Sequence, residues 1–388
     1  MSQKVGKTER RKVDFEKMTE NNWYSIKDIE KLDTPALVIY PDRVKENILI
    51  LKGMIDDVDR LRPHVKTHKC KDAALLMIEA GIKKFKCATI AEAEMLGMSK
   101  AHDVLLAYQP FGPKLERFIQ LIKAYPETRY SCLVDNKAAA KHISDVALQQ
   151  HLKIDVYIDL NIGMNRTGII PDSQATELYI NCNTLAGIKP IGLHAYDGQI
   201  HDVDLAIRTR KCNDAFEPVK KLQQDIKQRG IPEPVIIAGG SPTFPIHAQR
   251  GVVECSPGTF IYWDRGYSLI CPEQPFLTAA LVVSRVISLP DETKLCLDVG
   301  HKSVSAENEL SKRIYFLNAP ELVMIGQSEE HLVVDAGKDH DYKIGDVLYG
   351  LPYHICPTIA LYERAITIED NKISGEWKNI ARDRKINI

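Results

Sequence analysis

Lys66 ends an apolar lead-in within RPHVKTHK and has His64, His68 and Lys69 around it. A lysine crowded by cationic groups can have a lowered pKa and act as a Schiff-base nucleophile. Most lysines are simply solvated, so this reading needs a second feature. Gly239-Gly240-Ser241 supplies one, directly after the apolar run PVIIA. Glycines let backbone N–H groups approach an anion, and the hydroxyls of Ser241 and Thr243 add donors. Gly258-Thr259, in ECSPGTF, is a second cradle of this kind. Either could be a bare tight turn. A nucleophilic lysine beside a phosphate cradle suggests pyridoxal phosphate or a phosphosugar imine.

These residues need a scaffold that brings them together. From Thr34 short β-branched runs alternate with stretches of helical period. Counting from RLRPHVK (60–66) through KFKCAT, DVLLAY, RYSCLVD, KIDVYIDL, KPIGLHAY and PVIIAGGS to VVECSP gives eight strands. Strands separated by helices argue for a parallel sheet, and eight close a (β/α)8 TIM-type barrel. Such a barrel puts its chemistry at the C-terminal strand ends, where Lys66, the Asn161–Arg166 stretch, His194 with Tyr196, and both glycine turns fall. Phosphate held by the loops after strands seven and eight is a recurrent barrel feature, and both glycine turns occupy those positions. TPALVIY (34–40) is a ninth strand with no place in the barrel. After about Leu277 the helical crossovers stop and seven short strands follow, an all-β domain. The expected division is a polar N-terminal tail over 1–28, a barrel over 29–275 and a β-domain over 276–388, with the first strand joining the β-domain.

Composition excludes several function classes. The 388 residues carry 51 Lys+Arg and 52 Asp+Glu, a net charge of -1, so nothing points to nucleic acid or an anionic membrane as partner. No window approaches the roughly 18 apolar residues of a membrane span. The nine cysteines form no C-x-x-C pair, which argues against a zinc knuckle or dithiol redox site. Scattered free thiols and a basic, polar N-terminus without an apolar core fit a cytoplasmic protein.

Taken together, RPHVKTHK, IDLNIGMNRTG, HAYDG, AGGSPT, ECSPGTF, LDVGHK, GQSEEH and LPYHICPT occur in this order. The chain resembles the fold-type III pyridoxal-phosphate enzymes, more narrowly the D-threonine aldolase / D-serine dehydratase family, from about Asp33 to its end. The resemblance implies an alanine-racemase-like barrel whose first strand joins a β-domain, and a homodimer. It implies that Lys66 is the lysine bound covalently to pyridoxal 5'-phosphate and the base at the substrate α-carbon. It places Arg166 at the cofactor phenolate oxygen, His194 on the pyridine face and Tyr196 at the pyridine nitrogen. Gly239, Gly240, Ser241, Thr243, Gly258 and Thr259 match the phosphate cup. A phenol at the pyridine nitrogen makes a weaker electron sink than an aspartate, so further assistance is needed.

That assistance is implied to be a divalent metal on His354 and Cys356, in PYHICPT. H-x-C alone is a weak signal, since most isolated cysteines are small buried hydrophobes. On a strand, alternation would put both on one face. Imidazole with thiolate suits zinc; manganese or magnesium would follow from a carboxylate at the second position. The expected reaction is retro-aldol cleavage of a β-hydroxy-D-amino acid to glycine and an aldehyde. Dehydration to a 2-oxo acid and ammonia needs the same parts, and Cys356 leans that way because the aldolase pattern has Asp there. Racemisation, or a non-catalytic cofactor carrier, ranks behind both. His68 and Lys69 read as solvated or supporting. Trp263 and Asp264 read as packing, Asp298, His301 and Lys302 as structural, and Glu329, Glu330 and His331 as a solvated turn.

Overall fold

In a computed structural model, residues 22–388 are described. The chain forms two compact units, residues 22–42 with 278–377, and residues 43–277 with 378–388.

The first strand, β1 (Ala36–Ile39), belongs to the β-unit. The barrel unit contains a parallel sheet running in chain order: β2 (Lys84–Cys87), β3 (Asp103–Leu106), β4 (Arg129–Val134), β5 (Ile154–Leu160), β6 (Ile188–Ala195), β7 (Val235–Ala238) and β8 (Val253–Cys255). The alternation of β-branched runs and helical period is realised as strand–helix–strand crossovers. Side-chain caps fix where helices begin: Thr89, Asn136, Asp172 and Asp204 each accept a backbone N–H two or three residues on. Leu105, Leu133, Tyr157 and Ile237 pack together within the sheet's curl.

One expectation needs correcting. RLRPHVK is not a regular strand. Only single bridges form, Leu61 to Cys255 and His64 to Lys86, flanked by one-turn 3-10 helices over Val58–Arg60 and Val65–Thr67. The segment still joins the last strand to the first. Arg62 N donates to Cys255 O at 2.8 Å, and Lys86 N to Pro63 O at 2.9 Å. Pro63 has no N–H, which interrupts a ladder.

The β-unit holds β9 (Ala280–Ser288), β10 (Lys294–Leu297), β11 (Ile314–Phe316), β12 (Val323–Gln327), β13 (Leu332–Asp335), β14 (Val347–Pro352), β15 (Arg364–Glu369) and β16 (Lys372–Lys378). The sheet runs β12-β13-β10-β9-β1-β15-β16, with β14 pairing β9 and β11. β1 is antiparallel to β9 (Leu37 opposite Val282) and parallel to β15 (Val38 opposite Ile366). β16, in the polar run KISGEWK, carried no apolar alternation to reveal it.

Both ends of the chain differ from expectation. Most of the proposed tail, residues 1–21, lies outside the described residues. Residues 22–28 are not tail: Tyr24 and Ile26 are buried against Val38, Leu281 and Tyr349. At the other end, residues 378–388 group with the barrel unit rather than the β-domain. Arg117 donates to Ile388 O, Asn387 to the buried Glu94, and Ala381 N to Lys69 O.

Candidate active site

A cleft of about 260 Å³ at the C-terminal strand ends of the barrel unit is lined by His64, Lys66, Lys86, Tyr108, Asp159, Arg166, His194 and Tyr196, among others. Lys66 is exposed in the 3-10 turn Val65–Thr67, and its backbone N donates to His64 Nδ1 at 3.3 Å. The turn is pinned on both sides. His64 N donates to Pro257 O at 3.0 Å. Lys69 pairs with the buried carboxylate of Glu92, which also accepts Ala88 N at 2.6 Å. Thr89 caps that same helix by accepting Glu92 N at 3.0 Å. His68, expected to be solvated or supporting, is instead 1% exposed. Burial, then the neighbouring Lys66 and Lys86, hold His64 well below the usual imidazole range.

Strands β5 and β6 lie side by side and bring Asp159 opposite His194. His194 Nδ1 stands 2.7 Å from Asp159 Oδ1, with both side chains buried. On its other side, His194 Nε2 is 3.3 Å from Nζ of Lys86, the next-to-last residue of β2. Burial would raise Asp159, yet the His194 hydrogen bond and charge keep it below the usual carboxylate value. Burial and the facing Lys86 lower His194. Lys86 is brought down to about 7 by burial and by Lys66. The Arg166 guanidinium lies 5.3 Å from the centre of the Tyr196 ring and the Lys86 ammonium 5.4 Å from it, both within cation–π range. The loop carrying Arg166 is ordered by Asn161 Oδ1, which accepts Gly163 N and Asn165 N.

The two glycine turns are joined by one hydroxyl. Ser241 Oγ accepts Thr259 N at 3.2 Å and Gly258 N at 3.4 Å. Gly239 is left-handed (φ +82°), which strains any side chain. A Cβ on Gly258 would sit 3.0 Å from His64 O, so a side chain here would press on the Lys66 segment by a few tenths of an ångström. A Cβ on Gly240 would sit 3.2 Å from the Tyr196 ring. Thr243 Oγ1 accepts Gly240 N at 3.2 Å and donates to Asp197 Oδ1 at 2.8 Å. Two glycine turns joined through Ser241, beside a cleft lined by Lys66, Lys86 and Arg166, fit the phosphate and aldehyde of pyridoxal phosphate.

Beneath the cradle, Asp197, Cys212 and His247 are close enough to share a metal ion. Their protonation argues for a hydrogen-bond network instead. His247 Nδ1 accepts from Arg250 Nε at 3.1 Å, so its Nε2 carries the hydrogen, 2.8 Å from Asp197 Oδ2. Burial pushes the Cys212 thiol up to about 12. An ion would have to displace both protons beside a guanidinium.

In the β-unit, His354 and Cys356 do not lie on a strand. His354 is the extended residue before the short helix Ile355–Ile359, and Cys356 is in its first turn. The alternation argument for the pair therefore fails. His354 Nδ1 pairs with Glu307, a carboxylate that also takes the Ser305 hydroxyl. A carboxylate behind an imidazole is the arrangement that orients a metal ligand through its other nitrogen. Imidazole and thiol are donor types that suit zinc. Among the other residues weighed, Asp264 caps the helix Arg265–Ile270 and Asp298 binds Thr34 and Arg285 N. Lys302 pairs with Glu329 and Glu330 on the surface.

Of the residues expected from the sequence, Lys66, Arg166, His194 and Tyr196 line one cleft, shared by Lys86 and Asp159, which were not expected there; Asp197 and Glu307 were not expected either. Asp159 and Asp197 stood inside IDLNIGMNRTG and HAYDG. Lys86 sat next to a strand end, where the barrel rule itself points. Glu307, in an irregular stretch, left no signal.

Comparison with known proteins places these features. Residues 39–266 match the alanine racemase N-terminal domain, and residues 279–368 a putative serine dehydratase domain. The chain is 27% identical to a D-threonine aldolase of Arthrobacter sp. over 361 residues, 91% of this chain and 94% of that one. It is 27% identical to a D-threo-3-hydroxyaspartate dehydratase of Delftia sp. (strain HT23) over 366 residues, 85% and 93% of the two chains. The solved D-threonine aldolase from Filomicrobium marinum superposes with a TM-score of 0.82 at 25% identity, over 90% of this chain and 95% of that one.

Proposed function

The chain belongs to the alanine racemase N-terminal domain family, with a putative serine dehydratase domain over residues 279–368, and from that premise we propose that it is a pyridoxal-phosphate- and metal-dependent lyase that cleaves β-hydroxy-D-amino acids to glycine and an aldehyde. The observation that carries this reading is the joining of the Lys66 turn to both anion cradles: Gly258 lies against His64 O, and Ser241 ties the two glycine turns together.

Pyridoxal phosphate, when bound, supplies an electron sink conjugated to the bond that breaks. Lys66 would hold it covalently and serve as the proton acceptor and donor at the substrate. The backbone of Gly239, Gly240, Gly258 and Thr259 would hold the phosphate, with Ser241 and Thr243 setting the loop shape. His194, kept neutral by burial and by Lys86, offers a flat uncharged face. Tyr196 offers a phenol rather than a carboxylate, which leaves the electron sink weak and makes room for a second activator. His354 and Cys356 would hold a divalent metal, which supplies Lewis acidity for a hydroxylated substrate.

A dehydratase is the second reading, favoured by Cys356, since a thiolate ligand departs from the carboxylate of the aldolase pattern. Product analysis on D-threonine and D-serine separates the two. Glycine with acetaldehyde is expected. A 2-oxo acid with ammonia would replace the first reading by the second. A protein that takes up no pyridoxal phosphate would end both.

A further inference from the structure

Lys86 belongs to no motif and is not used above except as a neighbour, yet it is buried, 3% exposed, in the wall of the cleft. Its Nζ is 3.3 Å from His194 Nε2. His194 Nδ1 is 2.7 Å from Asp159 Oδ1. A carboxylate only accepts, so Nδ1 carries a hydrogen. Nε2 must then accept from Lys86, whose amine has a hydrogen to give whether charged or neutral. Protonating the imidazole would set two hydrogen-bearing nitrogens, or two cations, against each other in a buried site.

We propose that Lys86 is a positioning residue of the cofactor site, acting through His194, which it fixes as the neutral Nδ1–H tautomer in an Asp159–His194–Lys86 chain. The inference rests on the reading of the cleft as the cofactor site, but the chain itself is present without cofactor. The charged and titratable groups that face Lys86 agree with it. Lys66 and Arg62 oppose a proton on Lys86, and Asp159 and Asp197 favour one; neutral His194 accepts from it. His64 and Tyr196 complete its surroundings. Burial and Lys66 bring the ammonium down to about 7, so Lys86 and His194 titrate as a coupled pair.

The test is ¹⁵N NMR of the histidines in cofactor-free protein, wild type and variants, across pH 5–9, with circular dichroism to verify folding. In the wild type, His194 should show a protonated Nδ1 and an unprotonated Nε2. In Lys86→Met its protonation midpoint should rise by about one pH unit or more, a tenfold change in proton affinity. Lys86→Arg, which keeps donor and charge, should retain the wild-type tautomer and midpoint. In the holoprotein, the pH at which the absorbance of the bound cofactor changes should move with Lys86→Met and not with Lys86→Arg. An identical tautomer and midpoint in wild type and Lys86→Met would overturn the proposal. If Lys86→Met does not fold, Lys86→Gln takes its place, with the midpoint expected to rise and an unmoved one counting against. A protein that never binds pyridoxal phosphate would remove the function reading while leaving the NMR result standing.

Discussion

Two lysines share one cleft under opposite conditions, Lys66 exposed and Lys86 buried. On the proposed function, that contrast divides the labour between covalent attachment by Lys66 and orientation by Lys86. Lys66→Ala should abolish the colour that borohydride fixes to the protein and lower turnover at least about 10²–10⁴-fold, the usual worth of one proton-transfer group; steady-state rates and reduced-protein spectra check this. Cys356→Ala should lose bound zinc, read by elemental analysis, and lose its response to chelator and re-added metal. Activity that is full and indifferent to chelator in that variant would remove the metal assignment. Lys66, Arg166, His194 and Tyr196, which share the cleft, were legible in the sequence because each sat inside a quoted motif. Their partners were not. Asp159 matters because β5 lies beside β6, and Glu307 because the fold brings it to His354. Contacts of that kind depend on pairing between segments that no local pattern encodes.

The elements differ from expectation where a proline changes backbone chemistry. Pro63 reduces the first barrel segment to bridges, and Pro357 favours the first turn of a helix where alternation suggested a strand. The irregular segment is compensated by charge. Arg62, fully buried, contacts Asp103 at 2.5 Å and Glu254 at 2.7 Å, linking the first segment to β3 and β8. Arg62→Ala would leave Glu254 with Lys84 alone and Asp103 with only the longer Arg129 contact at 3.8 Å, and should cost up to about 3–5 kcal/mol, the usual loss when a buried pair is broken, in urea unfolding. The next turn carries a proton-linked weakness. Burial lowers His68 to about 3, while the unfolded histidine titrates near 6.5. The folded pKa is the lower one, so the unfolded chain binds more protons between these values. Stability is full above about pH 6.5 and falls toward pH 3 by about 1.4 kcal/mol per unit for this one group. His68→Gln, if it folds, should flatten that part of the acid limb.

At the scale of the molecule, the strand–helix rhythm made the barrel legible, and the end of that rhythm near Leu277 located the β-domain. The ends of the chain were not legible. Tyr24 and Ile26 look like part of a polar tail until a core exists to receive them, and residues 378–388 are too polar to announce a destination. Removing residues 378–388 would leave Glu94 buried without Asn387 and should destabilise the barrel unit by about 1–3 kcal/mol, measurable as an earlier melting transition with the β-unit unfolding unchanged. Each unit is therefore made of two separate stretches of chain, and one interior strand of the β-unit's sheet, β1, comes from far earlier in the sequence than its neighbours. During translation this becomes a matter of waiting. β1 emerges early, meets β9 only after the barrel segments have been made, and meets β15 near the end of synthesis. At about 5–20 residues per second, the apolar ALVI strand keeps one edge unpaired for roughly fifteen seconds to a minute. Ribosome stalling before β15 would prolong that interval, and nascent chains released there would carry an open strand edge, a template for aggregation.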